Sequence, residues 1–246
     1  MKNTIKFDRI IQMAHARIEP LSEKEKDELK EQLDHGKGDL VTKEQLNMYL
    51  YKYGEIHQAK LNRAFNHIPG KLWIESDISV VDYGCGQGVA EMVLSDYLQT
   101  LHIDNDIIKD IILVEPSCPS LVECVNYLNM FYCHSEIKPF CINVSQINQD
   151  QIRPESNFVL HVFSNVIDLP EFNINHVAEM LNDDVSHNNI IICVSPFYKE
   201  DSRGKRMDTF GQLLRHYRQI YKFQRHIDEW KNDYSCQIQI FMSSYY

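Results

Sequence analysis

The chain has 246 residues, 43% hydrophobic and 24% charged, with a formal net charge of -10. That size and balance suit a folded protein with a substantial core, and the acidic total excludes a surface coated all round by nucleic acid. No run approaches the roughly 18 consecutive apolar residues that span a bilayer, and the opening MKNTIKFDRIIQMAHARIEP lacks the apolar stretch and cleavage site of a secretory signal, so a cytoplasmic protein is expected.

Residues 1–70 contain no convincing strand. SEKEKDELKEQLDHGKG opens with a Ser and a Glu three residues on and closes on Gly, which are helix start and stop signals. VTKEQLNMYLYKYGEIHQAKLNRAFNHIPG predicts a longer helix, capped by Thr42 with Gln45 three residues on and broken at IPG. A helical N-terminal cap over 1–70 is therefore expected, followed by a second unit over 71–246.

After Gly70 short β-branched runs alternate with helical segments. Strands are predicted at 78–83, 107–116, 138–144, 157–164 and 189–196, and helices near 88–101, 119–131, 174–182 and 207–220. Such alternation marks an α/β fold, a mostly parallel sheet with helices on both faces. The closing runs YKFQRHI and CQIQIFMSS have no helix between them and should pair antiparallel through DEWKNDYS.

The seven cysteines are odd in number, include no C-x-x-C pair and lie mostly in apolar segments. Reduced, partly buried thiols are expected rather than a disulfide framework or a zinc site. Cys133 beside His134 is the only local pair with ligand character, and without a second pair no metal is expected.

VVDYGCGQGVAEMVLSDYL places Gly84, Gly86 and Gly88 at every second position directly after a predicted strand. A turn there, at the carboxyl end of a parallel strand and the start of a helix, is where ligands lie against the backbone. The spacing is neither G-x-G-x-x-G/A nor G-x-x-x-x-G-K-[ST], so neither a dinucleotide nor a nucleoside triphosphate is indicated. What stands is V-D-x-G-x-G-x-G, which resembles the first motif of class I S-adenosylmethionine-dependent methyltransferases.

The resemblance covers about 71–246 and implies a Rossmann-like sheet of seven strands, the last antiparallel, and S-adenosylmethionine as cofactor. It implies cofactor contacts at Asp82, Tyr83, Gly84, Cys85, Gly86 and Gly88, at Glu115 and Pro116 after the second strand, and at Asn143 and Val144 after the third. Glu115 would hold the ribose diol, since a carboxylate only accepts and a diol offers two donors. Asp82 would serve the methionine end, or cap the glycine loop. The 33 residues from Asp82 to Glu115 exceed the roughly 20 of dinucleotide folds, and the polar HIDND at 102–106 accounts for the excess as a longer loop.

The fourth strand ends in FSNVIDLP, where the resemblance places residues facing the methyl group and its acceptor. Ser164 and Asn165 are the candidate catalytic residues, with capping or turn formation as the other reading. SNVI is not the N/D-P-P-Y/F/W motif, so methylation of an exocyclic base amine is not implied. His161 within the strand suits a hydrogen-bonded core histidine, and Tyr198 could close over a substrate or pack at a strand end.

Tyr49, Tyr53, His57 and Lys60 share one face of the long helix, which either roofs the cofactor site or docks the cap. The stretch 199–226 carries eight Lys/Arg against three acids, with interleaved aromatics, which keeps nucleic-acid contact open. The helical lead-in followed by VVDYGCGQGVA also resembles ribosome-associated methyltransferase-like proteins of the small subunit. The expected activity is methyl transfer to a small molecule or RNA; the alternative is a catalytically inactive methyltransferase-like scaffold that binds the cofactor or a partner.

Overall fold

The structure, a computed structural model, describes residues 5–34, 40–75, 77–197, 202–225 and 235–243. Helix α1 (Phe7–Ile18) buries Phe7, Ile10, Ile11, Ala14 and Ile18, a stripe at helical spacing that the sequence reading did not single out. Helices α2 (Glu23–Gln32) and α3 (Lys43–Phe65) begin on capping boxes, Ser22 with Glu25 and Thr42 with Gln45. A single turn, α4 (Leu72–Glu75), leads into the sheet.

The remaining elements are β1 (Ile78–Tyr83), α5 (Val89–Thr100), β2 (Ile108–Val114), α6 (Cys118–Phe131), β3 (Glu136–Phe140), β4 (Phe158–Ser164), α7 (Ile174–Asp183), β5 (Asn188–Ser195), α8 (Ser202–Leu213), β6 (Tyr217–Arg225) and β7 (Cys236–Ser243). They form a seven-stranded sheet of order β3-β2-β1-β4-β5-β7-β6. Strands β1 to β5 pair in parallel, and β7 runs antiparallel to both β5 and β6. This is the doubly covered α/β sheet with a reversed last strand that the sequence predicts.

Alternation along the strands divides the core. Val80, Leu160, Val162, Ile190 and Ile192 face α1, α3, α5 and α6, while Val81, Tyr83, Phe163, Ile191 and Cys193 face α7 and α8. Phe7, Leu61 and Phe65 of the N-terminal helices lie in the same buried cluster as Val93 and Leu98 of α5. The described residues before Gly70 are thus packed into the core that the sheet builds, with a satellite cluster of Ile18, Leu33, Leu40, Leu46 and Met48 beside it.

Three expectations are corrected. The helix placed at 207–220 ends at Leu213, and Tyr217 already begins β6. The run YRQIYKFQR pairs with β7 from Tyr217 to Arg225, with a register shift between Gln219 and Tyr221, so sheet pairing overrides the helix-forming residues of GQLLRHYRQ. The third strand stops at Phe140, and Val144 to Gln146 form one 3-10 turn under an Asn143 cap.

The third correction concerns the cysteines. Cys118, first in α6, and Cys141, just past β3, form a disulfide with their Cα atoms 5.4 Å apart. Parallel pairing of β2 and β3 brings the two loops side by side, a proximity that a separation of 23 residues conceals. Cys85, Cys124 and Cys193 are free thiols and buried, as expected, and Cys236 is buried as well. The connection at 228–235 lies, apart from Ser235, outside the described residues.

Phe65 has no exposed surface and contacts the Tyr97 ring of α5 at 5.8 Å. Phe65→Ala is expected to cost about 3–5 kcal/mol and to shift one cooperative unfolding transition, as followed by circular dichroism in urea. A separate early transition of the N-terminal helices would contradict the shared core.

Candidate functional site

The carboxyl ends of β1 to β4 lie on one edge of the sheet, and strand order reverses between β1 and β4, the place where open α/β sheets bind ligands. A cavity of about 320 Å³ sits there. It is lined by Gly84 and Gly86 after β1, Glu115 and Pro116 after β2, Asn143 and Val144 after β3, and Ser164 and Asn165 at the end of β4. Asp82, Tyr83, Cys85 and Gly88 are not on its wall.

The glycine turn explains part of that division. All three glycines have positive φ, 79° at Gly84, 53° at Gly86 and 76° at Gly88. A Cβ on Gly84 would lie 2.5 Å from Val166 Cγ1, and one on Gly88 would lie 2.7 Å from Cys124 Sγ. Those two positions admit the chain's own neighbours. Gly86 has no atom within 4 Å of its Cβ position, so the open space there belongs to the cavity.

Glu115 joins two turns. Its Oε2 accepts the Gly86 N–H at 2.9 Å and its Oε1 accepts the Ser117 N–H at 2.8 Å. A carboxylate offers about four lone-pair sites over its two oxygens and accepts only, chemistry that suits a ligand's hydroxyl donors. Ser117, which the sequence reading missed, caps α6 through Ser120 N–H and donates its hydroxyl to Leu40 O at 2.7 Å. A Ser before C-P at a helix start was the available signal.

Asp82 and Tyr83 point to opposite faces of the sheet. Asp82 is 1% exposed and faces Glu91, and no donor among the described residues reaches either carboxylate. Burial, and then the neighbouring Glu91 charge, push its carboxyl well above the usual carboxylate range. Tyr83 Oη meets His161 Nδ1 at 3.2 Å, and its ring stacks on Phe163 with centroids 4.5 Å apart. His161 Nε2 lies 3.1 Å from Asn189 Oδ1, and burial holds its pKa down to about 4. His161 is thus the core histidine expected. Cys85 lies beside Cys124, and burial raises its thiol.

The long-helix face docks the N-terminal helices on the glycine turn and also reaches the cavity. Gln87 Nε2 donates to Leu46 O at 3.1 Å, which docks α3 on the glycine turn, and Tyr49 and Leu40 stand on the cavity wall. Tyr49 Oη is 3.1 Å from His57 Nε2, and His57 Nδ1 is 3.1 Å from Asn165 Nδ2. Lys60 Nζ donates to Asn165 Oδ1 at 3.4 Å. Burial, and then the Lys60 charge, lower His57 to about 3, so the imidazole is neutral at pH 7; burial also lowers Lys60 to about 8. Asn165 itself has φ 61°, a left-handed position that Asn tolerates better than most residues.

In the basic stretch, Arg206 donates to Ile167 O at 2.9 Å and Phe172 O at 2.6 Å, and Lys222 pairs with Asp208 at 2.7 Å. Two of its cations are thus taken up internally. Tyr198, Lys199 and His226 lie outside the described residues, as does the Arg203 side chain.

No family model matches the sequence, and no curated protein matches it. Solved structures do resemble the fold. The magnesium protoporphyrin IX methyltransferase ChlM from Synechocystis PCC 6803, with bound SAM, superposes with a TM-score of 0.53 at 11% identity, over 99% of this chain and 100% of that one. The N-methyltransferase NodS from Bradyrhizobium japonicum WM9 gives 0.51 at 8% identity, over 79% and 98%. The plantazolicin methyltransferase BpumL, in complex with a monoazolic desmethylPZN analog and SAH, gives 0.51 at 12%, over 96% and 98%. The chain has the class I S-adenosylmethionine-dependent methyltransferase fold. Within that fold the cavity lies at the glycine turn, and no described helix is long and apolar enough to cross a membrane.

Two predictions separate the roles of the first motif. Gly88→Ala places a Cβ against Cys124 at a left-handed position, which is expected to cost about 2–4 kcal/mol in urea unfolding; an unchanged midpoint would contradict the packing. Asp82, with its carboxyl raised in the folded state, contributes stability below its ordinary pKa of about 4 that is lost as pH rises towards the folded value. Asp82→Asn is therefore expected to be more stable than the parent at pH 8 and to flatten the fall in stability between pH 4 and 8. An identical pH slope in both proteins would refute the raised carboxyl.

Proposed function

We propose that the protein is an S-adenosylmethionine-dependent methyltransferase acting on a small-molecule acceptor. The observation that carries this reading is the Glu115 carboxylate, fixed by two backbone amides at the tip of β2 beside the open space at Gly86. An acceptor-only group set at that place suits a vicinal diol, and the backbone at Gly86 admits a ligand where a side chain would not. Asn143 and Val144 border the adenine end, one strand further out.

The cofactor, when bound, supplies an electrophilic methyl group on a sulfonium. The chain's residues bind, orient and exclude water. Glu115 and the Gly84–Gly86 turn would hold the adenosine, and Ser164 and Asn165 would align the acceptor at the tip of β4. Helix α3 overhangs the cavity through Tyr49, which favours a small acceptor over a folded RNA, and the internal use of Arg206 and Lys222 points the same way.

Calorimetric titration with S-adenosylmethionine and S-adenosylhomocysteine tests the reading. Glu115→Ala is expected to weaken binding at least about tenfold, the worth of one lost hydrogen bond to a charged group. Gly86→Ala adds a methyl that meets no protein atom, so it should fold and still bind poorly. Binding by the parent that neither substitution disturbs would overturn the site. A radiolabelled-methyl screen of small molecules, RNA and proteins then names the acceptor, and turnover on none of them would favour the scaffold alternative.

A further inference from the structure

Behind Tyr49 runs a chain of hydrogen bonds whose polarity is fixed from one end. The ammonium of Lys60 can only donate, so Asn165 turns Oδ1 towards it and presents Nδ2 to His57 and to Ser164 Oγ. His57 Nδ1 must then accept, which puts the single ring proton of the neutral imidazole on Nε2. Nε2–H donates to Tyr49 Oη, and the Tyr49 proton is left for the cavity, where no described acceptor takes it. Burial keeps the phenol protonated.

The same cavity holds the opposite vacancy in hydrogen bonding. Gln87 is 2% exposed and its Nε2 is committed to Leu46 O, while its Oε1 has no partner. A buried acceptor without a donor is uncommon and points to a ligand group. Gln87 and Tyr49 both line the cavity, on the glycine-turn side of β1 and under α3, away from Asn143 and Val144 beyond β2.

We infer that Tyr49 and Gln87 form a clamp for a zwitterionic α-amino-acid group, Tyr49 Oη donating to its carboxylate and Gln87 Oε1 accepting from its ammonium. The inference rests on the methyltransferase reading and assigns the group to the amino-acid tail of the cofactor, one donor and one acceptor for one anion and one cation. Lys60, Asn165 and His57 are positioning residues that set the direction of the Tyr49 hydroxyl from behind.

The test compares S-adenosylhomocysteine with 5′-methylthioadenosine, which lacks both charged groups, in calorimetric titrations. Tyr49→Phe and Gln87→Met are expected to weaken S-adenosylhomocysteine about tenfold or more, as for a lost hydrogen bond to a charged group, and to leave methylthioadenosine unchanged. Glu115→Ala should weaken both. Equal losses for the two ligands in Tyr49→Phe, or none, would overturn the clamp while leaving the methyltransferase reading in place; failure of the parent to bind either ligand would overturn both. Nitrogen-15 shifts of the His57 ring give a readout free of ligand: the Nε2–H tautomer supports the donor polarity, and the Nδ1–H tautomer overturns it.

Discussion

The cleft depends on one carboxylate held between two turns. Glu115 accepts from Gly86 after β1 and from Ser117 at the start of α6, so the tips of two adjacent strands are locked at one spacing. On either side of Gly86 the same turn is anchored by Cys85, beside Cys124, and by Gln87, bonded to Leu46 O. Ser117 extends the lock to the N-terminal region through Leu40, and Gln87 extends it to α3 through Leu46. The wall, the turn and the roof are therefore one hydrogen-bonded assembly.

Polar groups beneath and beside this assembly are arranged in two different ways. The Asp82–Glu91 pair lies under the turn with no hydrogen-bond donor reaching it among the described residues, and burial raises both carboxyls. The Lys60–Asn165–His57–Tyr49 chain has a donor for every acceptor along its length and ends at the cavity. The first arrangement costs stability at high pH, and the second fixes the direction of a hydroxyl. A carboxyl that the motif alone would assign to the ligand thus sits off the cavity wall, while a tyrosine from a distant helix is on it.

The sequence was most legible where local pattern and fold agree. Strand β1 and helix α5 fall at the expected positions because the apolar run, the glycines and the following helix formers are contiguous. Glu115, Asn143 and Ser164 stand on one cavity wall because parallel strands put successive carboxyl ends on one edge. The start of β6 at Tyr217 was hidden because pairing with β7 decides it and helix formers precede it. The Cys118–Cys141 bond depends on the adjacency of β2 and β3, and the Lys60 contact to Asn165 spans 105 residues, so neither leaves a local mark. Asp82 lies off the wall because alternation along β1 fixes which face its side chain takes, and the motif does not state how deep that face lies.

Amide chemical-shift mapping of the isotopically labelled protein during titration with S-adenosylhomocysteine tests the central claim most directly. The account predicts that the largest shifts fall on Gly86, Glu115, Ser117, Asn143, Val144 and Asn165, at the tips of four strands, with little change at Asn189 and Tyr217 on the far side of the core. Binding that perturbs another surface and leaves the Gly86 and Ser117 amides unmoved would contradict it.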